Sequence, residues 1–183
     1  IKIKSMNIVS LKIPEVLLIT PEIFKDERGY FLESFNKKIF KKETGLSKEF
    51  VQDNQSLSYK NVLRGLHYQK QPMEQGKLVS VVYGEILDVA VDIRKNSKTY
   101  GKWISEKLTA DNHKQLWIPE GFAHGFITLS EKAICTYKAT NFYCINHERT
   151  ILWSDKDLNI SWPFSKPPII SKKDQLGRKF QDL

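Results

Sequence analysis

Residues 62–94, VLRGLHYQKQPMEQGKLVSVVYGEILDVAVDIR, fall into two halves of different character. The first gathers Arg64, His67, Gln69, Glu74 and Lys77 in a stretch punctuated by Gly65, Pro72 and Gly76. In the second, Val89, Val91 and Ile93 alternate with Ala90 and Asp92, the period-two pattern of a strand with one buried face. Gly84-Glu85 separates two apolar runs and predicts a tight hairpin with glycine first in the turn. Reactive side chains at the mouth of a stiff β scaffold suit a small-molecule site.

The flanking sequence continues in the same style. Further strands are predicted at 102–108, 115–118, 125–129, 133–139 and 150–153. Many short strands at regular spacing argue for an all-β antiparallel barrel or sandwich of jelly-roll type with a few short peripheral helices. The one clear helix runs from an Asn36 cap to a Gly45 stop, with Ile39 and Phe40 as its apolar side. A polar turn around Gly29 leads into a strand. Residues 6–20 alternate weakly and contain Pro14, which suits an edge or exchanged strand. The tail after Trp162, with Pro163, Pro167 and Pro168, is expected to wrap the surface.

A chain of 183 residues is expected to form one domain with a core that needs no disulfides. The net charge of +8, from 29 basic against 21 acidic residues, favours an anionic partner. The lysines are scattered rather than striped, which argues for a small anion and against nucleic acid. Cys135 and Cys144 lack metal-knuckle or redox spacing and read as buried free thiols. No apolar run has membrane-spanning length and no leader pattern is present, so a cytoplasmic location and no membrane association are expected. The chain starts at Ile1 with a methionine at Met6, so residues 1–5 are expected to lie outside the natural fold.

His67 is the first candidate for chemistry. With Arg64 and Lys77 on the same rim, its protonated form is disfavoured and the neutral imidazole stays available as a base. The second candidate is Pro119-x-Gly121-x-x-His124, which resembles the second signature of the cupin superfamily. The first cupin signature calls for His-x-His followed by Glu. Here it reads His67-Tyr68-Gln69 and then Glu74, and Gln is a poor metal ligand beside imidazole. A metal-free site is therefore expected, with a metal-dependent enzyme using His67, His124 and Glu74 as the alternative.

Seven further motifs narrow the resemblance. They are Asp26-x-Arg28-Gly29-x-Phe31-x-Glu33, Gln52-x-Asn54-x-Ser56, Arg64–Gln69, Gln75–Val79, Gly84–Arg94, Ile118–Phe126 and Tyr137-Lys138-x-Thr140. In this order, from about Pro14 to the C-terminus, the chain resembles the dTDP-4-dehydrorhamnose 3,5-epimerases, metal-independent cupins of activated L-rhamnose synthesis.

That resemblance implies a cofactor-free epimerisation of a dTDP-4-keto-6-deoxy sugar at C3 and C5. The C4 ketone acidifies both neighbouring carbons; a base takes a proton from one face and an acid returns one to the other. His67 matches the general base, Asp174 the carboxylate that orients it, Tyr137 the proton donor and Lys77 the cation near the enolate oxygen. Arg28 and Arg64 match substrate-facing positions suited to the diphosphate. Glu33, Gln52, Asp53, Asn54, His124, Glu148 and Lys173 match further binding positions, and Tyr143 matches the aromatic that stacks on thymine. Asp26, Asp88, Asp92, His113 and His147 are left as structural or surface residues. The family also implies homodimers with exchanged N-terminal strands, Arg28 and Glu33 being donated by the neighbour. Sister enzymes with the same motifs epimerise C3 or C5 alone. A non-catalytic sugar-nucleotide module is disfavoured, since binding alone does not call for an acid and a base.

Overall fold

The structure, a computed structural model, describes residues 6–164 and 166–183. The expectation for residues 1–5 lies outside the described residues. In chain order the strands are β1 (Asn7–Ser10), β2 (Leu17–Thr20), β3 (Ile23–Asp26), β4 (Gly29–Leu32), β5 (Gln52–Tyr59), β6 (Leu63–Gln69) and β7 (Lys77–Tyr83). They continue with β8 (Glu85–Asp92), β9 (Trp103–Thr109), β10 (Gln115–Ile118), β11 (Phe122–Thr128), β12 (Lys132–Ala139) and β13 (Glu148–Thr150). Helix α1 spans Lys37–Thr44 and α2 spans Lys172–Gln175.

Two antiparallel sheets carry the fold, one ordered β1-β2-β10-β7-β12-β5 and the other β13-β6-β11-β8-β9. Val79, Val81, Leu116 and Cys135 of the first pack against Ile86, Ala90, Ile104, Phe122 and Phe126 of the second. Each such fully buried apolar side chain contributes about 1.5–3 kcal/mol of transfer free energy. The two ladders share no strand, so the expected barrel takes the form of a two-sheet sandwich.

Both outer faces are covered over part of their area. Helix α1 seals the six-stranded sheet by inserting Phe40 against Trp117 and Phe50, with ring centroids 5.7 Å from each. Its predicted bounds hold: the Asn36 side chain accepts from the Lys38 and Ile39 amides, and the Gly45 amide closes on the Lys41 carbonyl. On the five-stranded sheet, Leu158, Ile160, Trp162 and Phe180 of the C-terminal segment cover Leu66, Val89, Val91 and Ala123. The tail thus covers a sheet face from Ile151 onward.

Two local expectations are corrected. Gly84 does not turn a hairpin: β7 and β8 belong to different sheets, and the glycine is the corner between them. Its φ of +76° suits that corner, and a Cβ there would lie 2.1 Å from the Lys132 carbonyl oxygen. Strand β8 is buried on both faces rather than one: the C-terminal segment covers Val89 and Val91, and the opposite side, with Ile86 and Ala90, faces the core between the sheets. Within residues 6–20, β1 is the sheet edge, as the weak pattern suggested, whereas β2 is paired on both sides, by β1 and β10.

Candidate active site

The space between the sheets is apolar at one end and polar at the other. At the polar end, β6 and β11 face each other with Gly65 opposite Gly125. A Cβ on Gly65 would lie 2.5 Å from the Gly125 Cα, so only glycine allows this approach. The register there slips: His67 pairs with His124, but Arg64 pairs with Phe126, so β6 carries one extra residue. This bulge reconciles an apparent conflict. Residues three apart on a regular strand point to opposite faces, yet Arg64 and His67 both serve the inner one. Arg64 Nε donates to the buried Ser58 hydroxyl at 2.9 Å.

His67 Nε2 lies 2.6 Å from Asp174 Oδ1, an aspartate brought from the far end of the chain on α2. The Ser171 hydroxyl caps that short helix by accepting from the Asp174 amide, and the Gly65 amide donates to Asp174 Oδ2. Burial works to raise the Asp174 carboxyl. The His67 bond and charge, the Gly65 amide and Lys173 together outweigh it and hold the group below the usual carboxylate range. The Asp174 carboxylate accepts a hydrogen bond from Nε2–H, which leaves the Nδ1 lone pair as the proton acceptor of the ring.

Across the sandwich, on the inner faces of β7 and β12, stand Lys77 and Tyr137. The Lys77 ammonium is 5.6 Å from the Tyr137 ring centroid. Burial pushes Lys77 down to about 8, opposed by Asp88 and Glu148 and assisted by Lys173. Burial also raises the Tyr137 phenol, with Glu148 adding to the effect while Arg64 and Lys173 oppose it. The phenol therefore stays protonated at neutral pH. A neutral base, a protonated acid and a buried cation around one space can move a proton across a carbon and stabilise the oxyanion formed meanwhile.

The rim carries a connected set. Lys173 donates to Glu148 Oε1 at 2.7 Å and the Tyr143 hydroxyl to Glu148 Oε2 at 2.9 Å. The Tyr143 amide donates to Gln52 Oε1, and Gln52 Nε2 donates to Asn54 Oδ1. Burial raises the Glu148 carboxyl, but its bonds to Lys173 and Tyr143 and the charges of Lys173 and His67 bring it below its ordinary value. Gln52, Asn54, Arg64, Tyr143, Glu148 and Lys173 thus belong to one region with His67 and Asp174.

Three sequence-predicted residues stand apart within this chain. Asp53 faces the outside of the six-stranded sheet and pairs with Lys138 at 3.0 Å. Arg28 is solvent-exposed on the β3–β4 hairpin and bonded to Asp26, and Glu33 follows that hairpin with its carboxylate accepting from Asn36. The hairpin is a separate two-stranded sheet whose Tyr30, Leu32 and Ser34 line a recess of about 490 Å³ with Ser80, His113 and Gln115. That recess lies on the outer side of the sheet, away from His67 and His124.

Gln69, at the position where a cupin would ligate metal, spends its amide on the main chain. Its Nε2 donates to the Met73 and Phe142 carbonyls and its Oε1 accepts from the Cys144 amide. Among the described residues, no three His, Cys, Asp or Glu side chains gather as a metal-binding group, so Glu74 does not join His67 and His124. Cys135 is buried as expected, its thiol pushed up to about 12 by burial. Cys144 is only partly buried, and its Sγ lies 3.1 Å from His147 Nδ1.

Asp88, set aside as structural or surface, is fully buried on the inner face and lies 2.6 Å from His124 Nε2 through Oδ1. Its signal was present: in the alternation Ile86, Asp88, Ala90 it takes an inward position. Burial lowers the His124 imidazole; Asp88 opposes this, while Lys77 and His67 add to it.

Comparison with known proteins agrees with this geometry. The family model described as dTDP-4-dehydrorhamnose 3,5-epimerase matches residues 10–182. The protein of that name from Shigella flexneri is 58% identical over 177 residues, covering 97% of each chain. The Salmonella typhimurium protein of the same name is 54% identical, covering 92% of each. The crystal structure of dTDP-6-deoxy-D-glucose-3,5-epimerase from Legionella pneumophila, in complex with dTDP-4-keto-L-rhamnose, superposes with a TM-score of 0.94 at 48% identity. That match covers 96% of this chain and 93% of the other.

Proposed function

The chain belongs to the dTDP-4-dehydrorhamnose 3,5-epimerase family, and on that premise we propose how its inner cavity converts dTDP-4-dehydro-6-deoxy-D-glucose to dTDP-4-dehydro-L-rhamnose. His67 removes the proton from the carbon beside the C4 ketone, and Asp174 stabilises the imidazolium that results. The electron pair of the broken C–H bond moves to the C4 oxygen, where the Lys77 ammonium meets the enolate charge. Tyr137 returns a proton to the opposite face. Exchange with solvent resets both groups, and the cycle runs once at C3 and once at C5. The observation that carries this reading is the His67–Asp174 pair at 2.6 Å in one space with Tyr137 and Lys77.

Binding falls to the rim. Tyr143 stacks on thymine, Arg64 meets the diphosphate, and Gln52, Asn54, His124, Glu148 and Lys173 hold the sugar and nucleotide. Arg28 and Glu33 reach the site from a second copy, in a homodimer that exchanges N-terminal strands. Support comes from the hairpin that carries Arg28, which pairs with neither main sheet and exposes Phe24, Tyr30 and Phe31. With Arg28 and Glu33, Asp53 is assigned to substrate contacts made in the assembled dimer. The two free thiols fit a reducing cytoplasm, and among the described residues no helix is long and apolar enough to cross a membrane.

NMR of the 4-keto sugar nucleotide incubated with the protein in D2O tests the reading. Deuterium at C3 and C5 with both centres inverted is the expected result. Label at C3 alone would replace double with single epimerisation, and no label would remove the assignment. Sedimentation showing a fully active monomer would remove the exchanged dimer.

A further inference from the structure

The inner face of β8 reads Ile86, Asp88, Ala90, and a carboxylate between two apolar neighbours costs several kcal/mol unless it is compensated. Asp88 Oδ1 is bonded to His124, whereas Oδ2 has no hydrogen-bond partner among the described residues. A half-satisfied buried carboxylate persists only in a positive field. Lys77, itself buried on the facing strand β7, supplies one.

We propose that Asp88 is a positioning residue for the epimerisation: one oxygen orients His124 by accepting its Nε2–H, and the other supplies the negative charge that keeps Lys77 an ammonium. The proposal deepens the epimerase reading and rests on it for the reaction Lys77 serves.

Every charged or titratable group facing Lys77 enters the balance. Among the described residues these are Asp88 from β8, Glu148 from β13, Lys173 from α2, His124 from β11, Tyr137 from β12 and His67 from β6. Asp88 is the strongest charge opposing the burial of Lys77, ahead of Glu148. Glu148 is already committed to Lys173 and the Tyr143 hydroxyl, so Asp88 is the anion left for Lys77. An ionised Asp88, a charged Lys77 and a neutral His124 sum to zero, the arrangement a buried cluster tolerates best. Neutral His124 donates Nε2–H to Asp88 and keeps an Nδ1 lone pair for a sugar hydroxyl. A purely structural Asp88 would be replaced adequately by Asn, which can also bond His124; a counter-charge would not.

That difference sets the test. Protein labelled with ¹³C at lysine Cε is titrated by NMR without ligand, the Lys77 signal being assigned by its absence in Lys77→Arg. In the wild type Lys77 titrates near 8. In Asp88→Asn its midpoint falls by roughly one unit or more, the usual effect of losing a nearby opposite charge. The alkaline limb of turnover moves down in pH by the same amount. Asp88→Ser, read identically, serves if Asp88→Asn does not fold. An unmoved Lys77 titration in the folded variant overturns the proposal even if the wild type is an active epimerase. A moved titration in a protein that does not exchange sugar protons keeps the Asp88–Lys77 pairing and removes the epimerase reading instead.

Discussion

The molecule holds two histidine–aspartate pairs of the same length. His67–Asp174 and His124–Asp88 are each 2.6 Å apart, and the two histidines are cross-strand partners on β6 and β11. They differ in surroundings. The His67 side chain is 27% exposed and its aspartate arrives on a C-terminal helix, whereas His124 is 8% exposed and both its partners lie on central strands. The first pair can trade protons with a bound sugar and with water. The second is held neutral by burial. Identical contacts thus stand in two settings, and solvent access separates the proposed base from a fixed dipole.

Substitution of the two histidines should separate these roles. His67→Ala is expected to lower turnover about a thousandfold or more, within the range for loss of a general base, with little change in the denaturation midpoint. Steady-state NMR and urea titration read the two quantities; retained turnover would dissolve the contrast. Conversely, His124→Phe strips the buried Asp88 carboxylate of its hydrogen-bond partner. It should cost roughly 3 kcal/mol of stability in urea unfolding, the usual result of breaking a buried pair. A loss no greater than that of His67→Ala would show the second pair to be unimportant for folding.

The smallest effect is in pH dependence. The folded-state pKa of His124 lies below its unfolded value, so the unfolded chain binds the proton more readily. Stability from this group is complete above the ordinary histidine value of 6.5 and is lost as pH falls below it. The urea midpoint should therefore drop between pH 7 and 5.5, and His124→Gln should remove His124's share of that slope. Asp174 acts lower: its depressed carboxyl contributes stability above the ordinary value of 3.8 that disappears as pH falls through the folded one.

Much of this was readable beforehand. The α1 caps at Asn36 and Gly45 were legible because capping depends on residues within one turn. His67, Asp174, Tyr137 and Lys77 came from motif resemblance, and the structure brings His67 to Asp174 and Lys77 to Tyr137. The reading failed at Gly84, where a glycine between apolar runs suits a hairpin and a sheet-to-sheet corner equally well. At Asp88, left as structural or surface, period two showed direction but not what waits on the facing strand.

By itself, then, the sequence determined the all-β character and the helix, since each follows from spacing within a few positions, and it offered the cast of reactive residues through its resemblance to a known family. Only the tertiary structure decided that Asp174 meets His67 across 107 residues, that Gly65 bulges β6 so Arg64 and His67 share a face, and that Asp88 lies opposite Lys77's strand. Those outcomes depend on which strands pair and how closely sheets approach, and strand pairing is a long-range choice that local periodicity does not encode.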